Sequence, residues 1–368
     1  MRLLHLSDLH LGKRLYGVSM LAEQREMLTH ILSVIETEGI EAVLIAGDVY
    51  DRMLPPAEAV ELCDWFLSQL AAKRIPVLLI NGNHDSAERL AFGAQLMGAA
   101  GVYLTPVYDG TVRRVTLEDA EGPVDFYLLP FLKPALVRPY DPEVSDYPSA
   151  LTSALRGLPT DPTRRNVLLA HQFVTGAAVS ESEERIVGGL DEVPVSVFDG
   201  FDYVALGHLH QAQHIGRETV RYCGTPLQYA FSEGAKSLTI VELGAGAVEV
   251  RTLPLSPAHP LRTLRGDFHS LLNGEGSEDY LYIRLTDEQE IPDAAARLRS
   301  VYPNLLRQDY DNTRTRSQET LELEAVAEQV SPMELFTEFY RMQNGQDMTE
   351  AQSGYLSALL ESMGGADA

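Results

Sequence analysis

The sequence predicts an α/β protein: a two-sheet sandwich flanked by helices, followed by a small α/β domain and C-terminal helices. Three observations predict it. Five apolar runs rich in β-formers each end in a polar signature: Arg2–Leu6, Glu41–Ala46, Pro76–Ile80, Asn166–Ala170 and Asp202–Leu206. Helix-period segments separate the first three, the pattern of βαβ units around a parallel sheet. After residue 100, short strand-like runs follow one another without long helices between them, which calls for a second sheet.

Each element has its own signal. In Met20–Glu36 the apolar residues Leu28, Ile31, Leu32 and Ile35 recur at helical spacing. In Ala57–Lys73, Val60, Cys63, Phe66, Leu67 and Leu70 do the same, and Pro55-Pro56 marks the entry. Val102–Leu104, Thr111–Thr116, Val124–Leu129, Ala212–Ile215, Thr219–Tyr222, Leu238–Glu242 and Val248–Leu253 read as strands. Pro254, Pro257 and Pro260 make Leu253–Pro260 a linker. Beyond it, Tyr280–Leu285 reads as a strand and Pro292–Val301 as a helix. Ser331 to Leu360 is amphipathic, with Ser331-Pro332-x-Glu334 as its capped start and a frayed end at Gly364–Ala368. The expected organisation is therefore 1–255, 256–325 and 326–368.

Composition narrows the function. No run of 18 apolar residues occurs, so no membrane helix is expected. The first residues read as a strand rather than a signal peptide. The isolated thiols Cys63 and Cys223 make neither a disulfide framework nor a zinc site, which suits a cytoplasmic protein. The net charge of −24 argues against gripping nucleic acid by a bulk positive field, and leaves the chemistry open.

Every one of the five runs delivers a metal-competent side chain at its C-terminal end, where α/β sheets place their sites. Asp8-x-His10 follows the first; two residues apart on an extended segment, both side chains point the same way. Gly47-Asp48 follows the second, and a carboxylate has two oxygens with which to bridge two ions. Gly82-Asn83-His84-Asp85 follows the third, with Asp85 and Ser86 placed to cap the next helix. His171 follows the fourth and Gly207-His208-Leu209-His210 the fifth. Singly, most of these are ordinary: Asp-x-His is usually two polar residues after a strand, Gly-Asp a turn, a lone His a structural residue. Together they supply two Asp, one Asn and four His before His84 is counted. Such a thiolate-free set suits Mn, Fe, Zn or Mg, and paired metals of this kind serve phosphoester hydrolysis.

The ordered set Asp-x-His, Gly-Asp, Gly-Asn-His-Asp, His and Gly-His-x-His resembles that of the calcineurin-like metallophosphoesterases. The resemblance extends through His5–Gly12, His171–Gly176, Val187–Asp191, Phe201–His210 and Gly224–Glu233, and covers residues 1–243 most fully. It is nearest to the nuclease subunits of that family. The resemblance implies two divalent ions, Mn2+ first and Mg2+ second. Asp8, His10 and His210 would hold one, Asn83, His171 and His208 the other, with Asp48 as the bridge. His84 would be a catalytic acid or transition-state stabiliser and not a ligand. Some relatives carry a second His three residues after the bridging Asp; Asp51 stands there, so no role is carried to it.

The same resemblance implies a DNA phosphodiester hydrolase: a double-strand 3'-5' exonuclease and a single-strand and hairpin endonuclease serving repair, recombination and replication. It implies a homodimer within a heterotetramer, a coiled-coil ATPase docked on 326–368, and a DNA-contacting cap at 256–325. Helices that simply pack on their own domain are the other reading of 326–368. No Gly-x-x-x-x-Gly-Lys-Ser/Thr loop occurs, so ATP would be hydrolysed by the partner. Two rivals stand beside this reading. One is a small-molecule or nucleotide phosphatase or phosphodiesterase on the same centre; Gly47–Arg52 echoes the protein phosphatases, but Met53 replaces their Gly. The other is a non-catalytic scaffold, which loss of a ligand or of His84 would favour; none is lost.

Overall fold

The structure, a computed structural model, describes residues 1–178, 192–312 and 347–363, with five positions between 333 and 341. The described residues fall into two compact units that divide between Pro260 and Leu261. Val187–Asp191, the Ser331-Pro332-x-Glu334 start and Gly364–Ala368 lie outside the described residues.

In chain order the first unit holds β1 (Arg2–Leu6), the hairpin β2 (Arg14–Leu15) and β3 (Val18–Ser19), and α1 (Leu21–Glu38). Then come β4 (Ala42–Ala46), α2 (Ala57–Ala72), β5 (Val77–Ile80), α3 (Ala87–Leu90), α4 (Ala94–Ala99) and β6 (Val102–Leu104). The second half runs β7 (Arg113–Asp119), β8 (Gly122–Leu128), α5 (Pro134–Val137), α6 (Tyr147–Leu155), β9 (Arg165–His171) and β10 (Tyr203–Gly207). It closes with β11 (Gln213–Ile215), β12 (Arg217–Tyr222), β13 (Lys236–Leu243) and β14 (Val248–Leu255).

These strands make two six-stranded sheets, ordered β14-β13-β1-β4-β5-β6 and β11-β12-β10-β9-β8-β7. β1, β4, β5 and β6 are parallel, as are β8, β9, β10 and β12. Strands covered on both faces must be apolar throughout, and β4 (Ala-Val-Leu-Ile-Ala) and β5 (Val-Leu-Leu-Ile) are wholly buried. Leu3, Leu44, Leu78, Ile80, Phe126, Leu128, Val167, Leu169, Tyr203 and Val241 fill the space between the sheets. A second cluster, including Leu151, Leu168, Phe198, Val204 and Tyr222, covers the outer face of the second sheet beneath α6. The expected two-sheet α/β sandwich is therefore the fold. Among the described residues no helix is long and apolar enough to cross a membrane.

The details differ in places. Val60, expected on the buried side of α2, is exposed, and Ala59 faces inward instead. β14 continues to Leu255, through Pro254, whose place on an edge strand needs no donated N–H. In the second unit, β15 (Leu261–Gly266), β16 (Tyr280–Leu285) and β17 (Leu305–Tyr310) form a parallel sheet, with α7 (Phe268–Leu272) and α8 (Ala294–Leu298) packed on Leu281, Ile283 and Leu285. The expected helix Pro292–Val301 shortens to α8. The last described helix is α9 (Glu350–Met363).

Candidate metal centre

The C-terminal ends of β1, β4 and β5 in one sheet, and of β9 and β10 in the other, meet at one edge of the sandwich. The side chains they carry converge. His10 Nε2 faces His210 Nε2 at 3.2 Å, and His10 Nε2 lies 3.8 Å from Asp48 Oδ2. Asp48 Oδ2 is also 3.4 Å from His171 Nε2. Asn83 Oδ1 lies 3.0 Å from His171 Nε2 and 3.1 Å from His208 Nδ1. Asp8 accepts the backbone N–H of His208 at 3.1 Å and the hydroxyl of Ser7. Three ligand-type triads have donor atoms within 4.8 Å of one another: Asp8/His10/His210, His10/Asp48/His84 and Asp8/Asp48/His171. All seven residues expected to hold metal are thus in one place, with His84 at their rim.

The backbone is bent to achieve this. Asp8 (φ 53), His10 (φ 43), Asp48 (φ 50) and His208 (φ 105) adopt left-handed conformations that L-residues avoid, at roughly 1–3 kcal/mol each. The sheet carries such strain only where the surroundings over-determine it. Two glycines give the room: a Cβ at Gly82 would overlap the Asp48 carboxylate, and one at Gly207 the Ala46 carbonyl. Asp85, expected as a helix cap, turns inward and accepts the N–H groups of Val49, Tyr50 and Gly82 at 3.1, 2.9 and 2.9 Å. It ties the Asp48 loop to the Asn83 loop, and Ser86 alone caps α3.

Crowding charged and imidazole groups in a buried site shifts their titration. Burial pushes Asp8 up to about 6, with the Asp48 charge adding to it. Burial also depresses His208 to about 3 and holds His10 well below the imidazole range. At His171 burial likewise opposes the charged ring, but the Asp48 carboxylate and its contact outweigh it and lift His171 to about 9. Burial would raise Asp48, yet the surrounding imidazoles hold it well below the ordinary carboxylate range.

The donor set fits hard or borderline divalent cations. The Nε2 atoms of His10 and His210 face each other at 3.2 Å beside the Asp48 carboxylate, and the buried Nδ1 of His10 has no hydrogen-bond partner. Two facing imidazole nitrogens with a carboxylate beside them are an arrangement that a bound cation would satisfy.

Several supporting residues were invisible in the sequence. Gln24 is buried and donates to the His10 carbonyl at 2.7 Å and to Tyr229 Oη at 2.9 Å, while its Oε1 accepts from Gly12 N–H at 3.0 Å. It pins the loop that carries His10, but no local pattern marks a Gln on a helix for this. Asp51 lies 3.8 Å from His10 Nδ1 and pairs with Lys13 at 2.7 Å. Of the arginines near the motifs, Arg52 sits 3.7 Å from Asp51, and Arg14 donates to the Gly17 carbonyl within its own hairpin.

Comparison with known proteins gives the family. The calcineurin-like phosphoesterase family matches residues 1–212, more than half the chain, and this chain belongs to that family. Residues 257–344 match a family described as the type 5 capsule protein repressor C-terminal domain. Within the phosphoesterases, the chain is similar along nearly its whole length to the D subunit of the nuclease SbcCD from Staphylococcus epidermidis. The two are 29% identical over 381 residues, covering 98% of each. The corresponding SbcCD nuclease protein of Staphylococcus saprophyticus is also 29% identical, over 99% of this chain and 98% of that protein. A solved dimetal phosphatase from Danio rerio is 12% identical, with a TM-score of 0.44 over 70% of this chain and 99% of that one.

Proposed function

We propose that this chain is the nuclease subunit of a DNA-processing complex and hydrolyses phosphodiester bonds at a two-cation centre, with Mn2+ as the first choice and Mg2+ as the second. The observation that carries the proposal is the convergence of Asp8, His10, Asp48, Asn83, His171, His208 and His210, four of them on strained backbone. In this reading Asp8, His10 and His210 hold one cation and Asn83, His171 and His208 the other. Asp48 bridges them, in keeping with an oxygen that faces both His10 and His171. The chemistry that such a pair would supply is neutralisation of phosphodiester charge and a more acidic water for in-line displacement.

The chain's own groups do the rest. His84 lies at the partly exposed rim, its backbone N–H donating to Asp48 Oδ1 at 2.9 Å. Its Nδ1 meets the Asp51 carbonyl at 3.1 Å, and a carbonyl only accepts, so Nδ1 carries a proton. Nε2 can then donate only in the imidazolium form. We assign His84 as the acid that gives a proton or hydrogen bond to the departing oxygen.

By similarity to the SbcCD nuclease proteins, the substrates are duplex ends, attacked as a 3'-5' exonuclease, and single strands and hairpins, attacked as an endonuclease, in repair, recombination and replication. The partner is an SbcC-type coiled-coil ATPase, docked through 326–368, while 256–325 contacts DNA and 1–255 carries the chemistry. A homodimer within a heterotetramer completes the assembly, and Phe92 and Leu96, 86% and 81% exposed on and beside the short helices after His84, suit a second copy.

The test is cleavage of end-labelled linear duplex and hairpin DNA with Mn2+, comparing the wild type, His84→Ala and a chelated control. Metal-dependent cleavage is expected, with His84→Ala lowering it at least 100-fold while Mn2+ binding persists (roughly the scale of general acid catalysis). Hydrolysis of nitrophenyl phosphates with no DNA cleavage, even with the ATPase present, would replace this reading by a phosphatase.

A further inference from the structure

We infer that Glu233 is a positioning residue for His210: with Lys236 it sets which ring nitrogen His210 presents to the centre. The inference rests on the assignment of His210 as a ligand. Glu233 is a fully buried side chain whose Oε1 lies 3.1 Å from His210 Nδ1. Its Oε2 lies 2.6 Å from Lys236 Nζ and accepts the Tyr229 N–H at 3.1 Å. Lys236, also buried, donates to the His210 carbonyl at 2.9 Å and to Thr225 Oγ1 at 2.6 Å. The Thr225 N–H reaches the same carbonyl at 3.1 Å, and a Cβ on Gly224 would stand 2.7 Å from it. The segment 224–236 therefore closes on His210 from two sides, ring and main chain.

The chemistry decides what this arrangement does. An ionised carboxylate only accepts hydrogen bonds, so Nδ1 of His210 carries a proton, and in the neutral ring that a cation requires Nε2 keeps its lone pair. That lone pair is the one 3.2 Å from His10 Nε2. A carboxylate behind a liganding imidazole fixes its tautomer and orientation and makes it a stronger donor. Stability does not explain the pair's location, because an apolar replacement of a buried ion pair is often as stable or more so. The motif Gly224–Glu233, which no other part of the mechanism uses, thereby acquires a role.

The experiment compares the full-length wild type with Glu233→Gln and with the paired variant Glu233→Gln/Lys236→Met, which leaves no uncompensated buried charge. Titration calorimetry with Mn2+ on chelator-stripped protein should show one site weakened about 10–100-fold in both variants, the range for loss of such outer partners, with the other site unchanged. Histidine 15N NMR of the metal-free protein should show His210 in the Nδ1–H form in the wild type and a mixture of tautomers in the variants. A folded paired variant with both affinities and the tautomer unaltered would overturn the inference. So would a wild type that binds no Mn2+, since His210 would then hold no cation. Neither readout uses DNA, so a wild type that binds Mn2+ yet cleaves no DNA would sink the nuclease reading and leave this inference standing on its own measurements.

Discussion

His171 is buried beside two carboxylates and is lifted to about 9, so in the cation-free protein it holds a proton at neutral pH. A ligand must give up that proton. Mn2+ binding should therefore release close to one proton near pH 7.5, seen by calorimetry in buffers of different ionisation enthalpy, and affinity should rise with pH until about 9. A flat affinity between pH 6.5 and 9 would mean that the cation displaces no proton from His171. His5 shows the opposite sign. Burial, helped by Arg221, depresses it to about 3, and its Nδ1 lies 2.9 Å from Tyr203 Oη. The folded state refuses a proton that the unfolded chain takes up below about 6.5, so stability present above 6.5 is lost as pH falls toward 3. Between pH 7 and 5 the metal-free wild type should lose about 2 kcal/mol more than His5→Gln in urea unfolding, from 1.5 pH units at about 1.4 kcal/mol each. Both residues show where sequence reading stops. His171 was legible because it ends an apolar strand; the neighbours that set its proton were not, since Asp8 and Asp48 reach it only through tertiary packing.

At the scale of elements, the strands that end in ligands were the most legible part of the fold. Continuous apolar runs have one reading when both faces are buried, and β1, β4, β5, β9 and β10 lie within a residue or so of their expected spans. β15 and β17 escaped notice because neither is a continuous apolar run or a clean alternation: β15 buries only Leu261 and exposes Arg262, Thr263 and Arg265, and β17 buries Leu305 and Leu306 and exposes Arg307. The loops beyond the strands were legible as chemistry and illegible as geometry. Asp-x-His suggested an extended pair sharing a face, whereas both residues sit in left-handed turns and meet their partners through that bend. Nothing in the local sequence reports φ at a non-glycine position. Gly82 tests how far the turn depends on close approach. Gly82→Ala would force its Cβ against the Asp48 carboxylate. We expect a folded protein with unchanged far-ultraviolet circular dichroism, a stability loss of about 1–3 kcal/mol, and Mn2+ affinity reduced at both sites. Wild-type affinity in this variant would show that the two loops can part without cost to the centre.

For the whole molecule, the net charge of −24 sets the problem, because a phosphate backbone meets a repelling surface. Lys13 and Arg52, near the centre, do little to offset it, since both lie against Asp51. An isolated chain should therefore cleave linear duplex slowly, and its activity should fall little between about 50 and 200 mM salt, because salt has few cation–phosphate contacts to weaken and screens the repulsion. The coiled-coil ATPase should raise the rate by supplying the attraction that this chain lacks. Residues 326–368 are where that partner is proposed to dock; within them α9 leaves Tyr355 exposed and Leu359 partly so while burying Leu356. Removing 326–368 separates chemistry from recruitment. The truncated chain should bind Mn2+ and hydrolyse a small nitrophenyl phosphodiester at close to the full-length rate, because every proposed ligand precedes residue 211. It should lose co-purification with the ATPase and all stimulation of duplex cleavage by it. If stimulation survives the truncation, the docking surface lies elsewhere and the last helices serve their own unit. If small-substrate hydrolysis is lost along with stimulation, the C-terminal segment supports the fold of the centre, and the division of labour between 1–255 and 326–368 fails.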